Sequence, residues 1–418
     1  MSDPTFGISI ARVDNEPRPA VWSDMSVVGI IGTAGSADDA VFPLNTPVFM
    51  YSDDQTKLAA LGADGELADA ISLLNSQLGE FQVSAKVVVV RVAEGMDNDA
   101  TVSNIVGDEA AGTGLYAFLD AGPDLGVIPR LLCAPGWTGS QAAPEMANPV
   151  VAALPGICER LLAHAVVDGP GTDQADAIAW RETISSDRII PVDAGVKVWD
   201  TEGDAAVNKA MSPAVIGIGV RRDHEFQGRP FHSWANQPIQ GVVGTARPIN
   251  FSLTDGATEG QTLLAANIGI ATRGEMGVST AIANGGFVFI GTDNAGADDL
   301  WRFYNVTRGR DFIHLMLLST LRFYLGRFNL TRQTIQAVVN TMELALRSLK
   351  ADGDILGYEV KFSRDQNTPE ELRLGKFTIN FAAEEAPVLR YVGIQSARYR
   401  PALDALLSDL LAQMGVNA

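Results

Sequence analysis

Thr331-Arg332-Gln333-Thr334-Ile335-Gln336-Ala337-Val338-Val339-Asn340-Thr341-Met342-Glu343-Leu344-Ala345-Leu346-Arg347-Ser348-Leu349-Lys350 carries Ile335, Val338, Val339, Met342, Leu346 and Leu349 on one stripe of a 3.6-residue period. The spacing predicts a long amphipathic helix over 331–350. A second long helix is expected just before it, over 307–325, with Gly326 and Gly353 as natural stops. Downstream, strands are expected at 356–363, 375–383 and 388–395, then a short amphipathic helix over 401–411. Residues 300–418 therefore read as an α+β domain.

Upstream the texture differs. Val27-Val28-Gly29-Ile30-Ile31-Gly32-Thr33-Ala34 reads as a buried strand ending in a turn, and the Val-rich run 86–92 suits a central strand buried on both faces. A helical spacing at Leu67, Ala70, Ile71, Leu74 and Leu78 lies between them, so the order is that of an α/β unit. A helix over 149–164 is expected to be interrupted at Pro155-Gly156, and 94–126 carries little pattern. The stretch 195–299 is expected to be loop-rich, with short apolar segments at 215–220 and Phe287–Ile290. The fold class expected is α/β and α+β, multidomain, with an outer α/β region at 21–299, an inner domain at 300–418 and an N-terminal arm at 1–20.

Both ends look like loose strands. Phe6, Ile8 and Ile10 alternate with Gly7, Ser9 and Ala11, the period of a half-buried strand. Asn15-Glu16-Pro17-Arg18-Pro19 follows, and its prolines cannot pair in a sheet. Near the other end Phe377, Ile379 and Phe381 alternate with polar residues, and Val388, Val392 and Ile394 lie in a second run beyond Pro387. A tethered strand satisfies its backbone by joining a sheet, in its own fold or in a neighbour's.

At 418 residues, 46% hydrophobic and 19% charged, the composition is that of a soluble globular protein of two or three domains. No run reaches the length of a membrane span, and the start Met-Ser-Asp-Pro predicts no secretory signal. Cys133 and Cys158 are too few for a disulfide scaffold and are expected as buried thiols. The net charge of −19 argues against a broad nucleic-acid surface. Charge is uneven, however. Residues 301–350 hold eight basic residues against Asp311 and Glu343, a net +6 that leaves −25 for the rest. A basic segment in an acidic chain predicts a surface for a negative partner, with about half of its arginines expected to pair internally.

Motifs for catalysis are missing from the sequence. Gly217-Ile218-Gly219 lacks the third glycine of a dinucleotide loop, and no phosphate loop or nucleophile elbow occurs. The four histidines have no metal-ligand spacing, and His314 is expected in a core or interface rather than as a ligand. The acid pairs Asp38-Asp39, Asp53-Asp54 and Asp298-Asp299 sit in loop contexts and read as turn and capping residues. Catalytic residues, metal ligands and cofactors are accordingly expected to be none.

The order of features resembles the tail sheath protein of contractile-tailed bacteriophages and the sheaths of related contractile injection systems. The fragments that carry the resemblance run from Thr5-Phe6-Gly7-Ile8 through Arg18-Pro19, Phe42-Pro43-Leu44-Asn45-Thr46-Pro47, Ala134-Pro135-Gly136 and Asn236-Gln237-Pro238-Ile239-Gln240-Gly241 to Gly353-Asp354-Ile355-Leu356-Gly357-Tyr358 and Gly375-Lys376-Phe377. The most specific is Leu300-Trp301-Arg302-Phe303-Tyr304-Asn305-Val306-Thr307-Arg308, similar to the family's entry into the first inner helix; it gives Trp301, Arg302, Phe303, Asn305 and Arg308 as an inner-domain motif. A family turn with Trp and Arg before this motif is missing from 287–293.

The resemblance implies a six-start helical array of hexameric rings around a tail tube, contracting to drive the tube through a host envelope. It implies an inner sheet completed by arm strands of neighbouring subunits, drawn from Phe6, Ile8, Ile10, Phe377, Ile379, Phe381, Val388, Val392 and Ile394. Implied partners are the chain itself, the tail tube protein, and baseplate and tail terminator proteins, with no direct nucleic acid and no membrane insertion. The implied location is the virion tail, after assembly in the host cytoplasm. Arg322, Arg327, Arg332 and Arg347, on or between the long helices, are the tube-facing candidates. Another self-assembling virion component, of baseplate or shell, and an α/β hydrolase-like enzyme are the alternatives.

Overall fold

Alternation along the central strands sends apolar side chains to both faces. Val28, Ile30, Val87, Val89, Leu131 and Cys133 enter one core. Val27, Ile31, Val88, Val90, Leu132 and Val167 enter another. A sheet buried on both faces must be covered by helices on both, which is the doubly wound arrangement. The computed structural model describes residues 23–79, 83–143, 145–201, 203–277 and 285–415. The expected N-terminal strand at Phe6, Ile8 and Ile10 lies outside the described residues, as does Arg18-Pro19.

The strands are β1 (Val28–Thr33), β2 (Pro47–Tyr51), β3 (Lys86–Val92), β4 (Leu131–Cys133), β5 (His164–Asp168), β6 (Ile189–Asp193), β7 (Val196–Asp200), β8 (Ala205–Lys209), β9 (Gln237–Ile239), β10 (Gly244–Thr245), β11 (Gly269–Arg273), β12 (Phe287–Ile290), β13 (Ile355–Lys361) and β14 (Asn380–Glu385). The helices are α1 (Gln55–Leu61), α2 (Leu67–Ser76), α3 (Asn98–Val106), α4 (Ala121–Leu125), α5 (Pro149–Leu161), α6 (Gln174–Glu182), α7 (Ser212–Glu225), α8 (Glu259–Ala265), α9 (Tyr304–Leu321), α10 (Arg332–Asp352), α11 (Pro369–Arg373) and α12 (Pro401–Gln413). The main sheet runs β2-β3-β1-β4-β5-β6-β11-β12-β9. Its interior, β3 to β11, is parallel, and β2, β12 and β9 are antiparallel additions. A small antiparallel sheet holds β10-β7-β8, and β13 pairs with β14 alone.

Three expectations need correction. The helix at α5 is continuous through Pro155, because Leu154, Ile157 and Cys158 hold it in the core on either side. The segment 215–220, expected as a short apolar piece in loops, is the middle of α7, which is buried along most of its length. Its two glycines hide it from a propensity reading. They are there for close packing: a Cβ on Gly217 would sit 2.8 Å from the Leu74 carbonyl, and one on Gly219 would sit 2.6 Å from the Trp234 ring. The third correction is 388–395, which forms no strand; Leu389, Tyr391, Val392 and Ile394 are exposed. Strand geometry needs a second edge to satisfy the backbone, and this segment has none among the described residues.

A change of core occurs near residue 300. Phe312, Ile313, Met316, Val338, Met342, Leu346 and Leu349 form a third cluster between α9, α10 and β13, joined by Met25 and Phe231. The described residues up to Val388 nevertheless make one compact unit, and those from Leu389 onward make a second. All three acid pairs act as caps or turns: Asp38 accepts from the Ala40 N–H, Asp54 accepts from Thr56 and Lys57 at the start of α1, and Asp298 accepts from Leu300. Cys133 and Cys158 are buried and unpaired, and burial pushes the Cys158 thiol up to about 12.

Candidate assembly site at the helix pair and its hairpin

The entry into α9 is a staple between the helix pair and the sheet. Asp293 and Phe303 form an isolated antiparallel bridge, and Arg302 reaches back to the Asp293 carboxylate at 3.0 Å and to the Asn267 side chain at 2.7 Å. Trp301 lies under the Arg310 guanidinium, 5.0 Å from the ring centre. Tyr304 is fully buried; its hydroxyl donates to the Gly291 carbonyl at 2.8 Å and accepts from the Trp234 N–H at 2.9 Å. Asn305 donates to the Phe231 carbonyl at 2.9 Å. One turn on, Arg308 is buried against Asp223 of α7 and stacks on Trp234, 4.9 Å from its ring. The motif residues thus meet at one junction, and their chemistry is that of internal anchoring.

A second anchor lies further along α9. Asp311 takes both arms of Arg188, the longer at 3.2 Å. Beside it, His164 of β5 is wholly buried, with Nε2 3.1 Å from the Thr307 hydroxyl and Nδ1 3.9 Å from Asp311. Burial, then the cations of Arg188 and Arg308, hold its imidazole well below the usual range, so it is neutral. Neither contact was visible in the sequence, since each partner lies more than a hundred residues from its mate.

The basic segment divides in two. Arg302, Arg308 and Arg310 pair with Asp293, Asp223 and Glu385. Arg322, Arg327, Arg332 and Arg347 are exposed, and among the described residues none makes an ion pair. Arg327 stacks on Phe323 at 4.6 Å, and Tyr358 is the group that chiefly raises the Arg347 pKa. His314 is exposed on α9, edge-on to Phe381 with ring centres 6.0 Å apart, so it is not a core residue. It falls off the buried stripe of its helix.

Helix α10 starts at Thr331, whose side chain accepts from the Thr334 N–H, a cap worth about 1 kcal/mol. It ends at Gly353 in the left-handed conformation, with φ 83°. The hairpin β13–β14 lies against the helix pair, with Tyr358, Val360, Phe381 and Ala383 turned toward the third core. Phe381 therefore has a strand partner, Val360, within its own chain, and Phe377 and Ile379 pack on the same core. The expected arm role thus meets a cis pairing at Phe381 alone, while Phe377 and Ile379 lie before β14, in no strand, so the strand expected over 375–383 starts only at Asn380.

The two edges of the hairpin differ. Ala383, opposite Tyr358, gives its carbonyl to Arg310 at 2.6 Å, so the outer side of β14 is partly occupied. At such a rung both residues aim their backbone groups outward, and the same holds two residues on, at Val360 and Phe381. The outer edge of β13 has no strand beside it among the described residues. It presents the N–H and C=O of Tyr358 and Val360, a template for another strand.

Next to the hairpin is an apolar groove of about 650 Å³, lined by Leu317, Leu321, Leu325, Phe328, Phe377 and Ile379 among others. A larger crevice, about 710 Å³, lies at the carboxyl ends of β4, β5 and β6, where α/β sheets hold ligands. Its polar groups have structural partners. Asp168 accepts from the Met211 and Ser212 N–H groups, each at 2.8 Å, and so caps α7. Lys209 pairs with Asp69. Asp193, packed beside the crevice, takes the Gly171 N–H and Arg247. Among the described residues, no helix is long and apolar enough to cross a membrane, and no three His, Cys, Asp or Glu residues are grouped to hold a metal ion.

The fold is that of contractile sheath subunits. It superposes with TM-score 0.66 on the helical sheath of the anti-feeding prophage in its contracted state, at 16% identity, covering 95% of this chain and all of that one. By sequence the chain is a homologue of tail sheath proteins. It is 26% identical to the tail sheath protein of Escherichia phage P2 over the whole of both chains, and 24% identical to the major tail sheath protein of Serratia phage KSP20 over 88% of each. No family model matches.

Proposed function

We propose that this chain is the repeating structural subunit of a contractile tail sheath, which polymerises as a helical array around a tail tube and contracts to drive the tube through the host envelope. The observation that carries the reading is the unpaired outer edge of β13 beside a helix pair anchored to the rest of the chain. An edge of this kind accepts a strand from another copy. The donors are the arm at Phe6, Ile8 and Ile10 and the segment containing Val388, Val392 and Ile394; Phe377, Ile379 and Phe381 complete the acceptor instead. Four or five backbone hydrogen bonds per joint, at about 0.5–1.5 kcal/mol each, make a link of a few kcal/mol that the array multiplies.

In this reading residues 300–418 form the inner layer and 21–299 the outer one, with 1–20 as the linking arm. Arg322, Arg327, Arg332 and Arg347 face an acidic tube, and baseplate and terminator proteins cover the two ends. The subunit works without a cofactor, in the virion tail, after assembly in the host cytoplasm. Electron microscopy of the purified chain tests this. Long hollow tubes are expected, lost on deletion of residues 1–14 while the monomer stays folded. Closed particles would favour a shell component, and monodisperse monomers with hydrolytic turnover an enzyme. Normal tubes from the deletion would overturn the strand exchange.

A further inference from the structure

Helix α12 and the apolar groove beside the hairpin match in chemistry. On α12, Leu403, Leu406, Leu407, Leu410 and Met414 are all exposed, at 45–74%. Helical spacing gathers them into one stripe, flanked on one side by Asp404 and on the other by Asp409. These two are the only charged residues from Pro401 to Met414. The groove is opposite in sign. Its walls come from 317–342 and 374–381, which contain no acidic residue. The basic residues Arg322, Arg327, Arg332 and Lys376 alternate there with the lining side chains, and all four are exposed.

We propose that α12 of one copy seats its leucine stripe in this groove on another copy, with Asp404 and Asp409 meeting the basic rim, so that Arg327 and Arg332 serve this contact rather than the tube and Arg347 stays the tube-facing candidate outside the groove. An acidic amphipathic helix laid in a basic-rimmed apolar groove is a recognised docking mode, and the charges set its orientation. The segment 389–400 leading to the helix has no helix or strand, and twelve extended residues reach on the order of 40 Å, enough to cross to a neighbour. Self-assembly supplies the occupant at high local concentration. This contact is distinct from strand pairing at β13, although it rests on the reading of the chain as a self-assembling subunit.

Mixed cross-linking of two full-length variants tests the proposal. One carries Leu407→Cys on α12 and the other Leu325→Cys at the groove; both positions are exposed, and the native cysteines are buried. Mild oxidation of a mixture assembled into tubes should give a band at twice the monomer mass, absent from either variant alone. Reversing Asp404 and Asp409 to Arg should lower that yield about tenfold, and R327D/R332D in the groove partner should restore it. Tubes that form without the mixed band would overturn the docking while leaving the sheath reading intact. So would a cross-link confined to the doubly substituted single chain, or one from Leu407→Cys to a tail tube protein. Failure to form tubes together with absence of the mixed band would overturn both.

Discussion

Arg308 and Asp223 form a fully buried two-point ion pair, with Nη1 3.2 Å from one carboxylate oxygen and Nη2 2.6 Å from the other. It joins α9 to α7, and a further bond from Nη2 reaches the Met25 carbonyl at 3.3 Å. Removing one partner leaves a buried charge without its mate, at a cost of about 3–5 kcal/mol. Arg308→Met should therefore lower the denaturation midpoint sharply. The double variant R308M/D223L should recover much of the loss. A double variant less stable than both singles would contradict this account.

His164 gives the junction a pH dependence. Its folded pKa is depressed by burial and by Arg188 and Arg308, with Asp311 and the Thr307 hydroxyl the other groups facing it. The unfolded imidazole binds a proton near pH 6.5, and the folded one does not. The unfolded state therefore holds more protons below that pH, and stability falls as pH drops through the window from about 6.5 downward. His164→Gln should flatten the fall in melting temperature between about pH 7 and pH 5. A variant with the same slope as the parent would show that other groups set it.

Close packing explains the Gly217-Ile218-Gly219 sequence without a ligand. Gly219→Ala places a methyl 2.6 Å from the Trp234 ring, which is buried and cannot yield freely. Overpacking of this kind costs about 1–3 kcal/mol. Gly256→Ala, where a Cβ meets no atom within 4 Å, is the control and should be near neutral. Equal melting temperatures for the two variants would remove the packing argument.

Local signals were legible and distant pairings were not. The stripe from Val338 to Leu349 marked α10 because one helix face is buried and periodic, and Gly353 marked its end; the Thr331 cap emerged only from the structure. The Val-rich run marked β3 for a different reason, since a strand buried on both faces is apolar throughout. Helix α7 was missed because glycines chosen for contact look like loop residues. The sequence could flag Arg302, Arg308 and Arg310 as basic but not as neutralised, since Asp293, Asp223 and Glu385 lie 9, 85 and 75 residues away. The Phe377–Phe381 alternation announced a strand but not whose sheet it would enter; register and partner are settled by tertiary contacts.

The open edge of β13 can be blocked without breaking the hairpin. The carbonyl of Ala383 bonds outward to Arg310, so the rungs Tyr358–Ala383 and Val360–Phe381 do not exchange hydrogen bonds across the hairpin. The Val360 N–H faces the free side. Val360→Pro removes that donor and puts a ring in the path of an incoming strand, while the ladder with β14 keeps its bonds. Glu359→Pro, one residue earlier, removes a donor on the β14 side and should loosen the hairpin itself. The expected pattern is a folded V360P chain, with circular dichroism close to the parent, that forms no tubes under the microscope. The E359P chain should lose thermal stability as well. Abundant tubes from a folded V360P chain would mean that strands join elsewhere, and the acceptor role of β13 would fall.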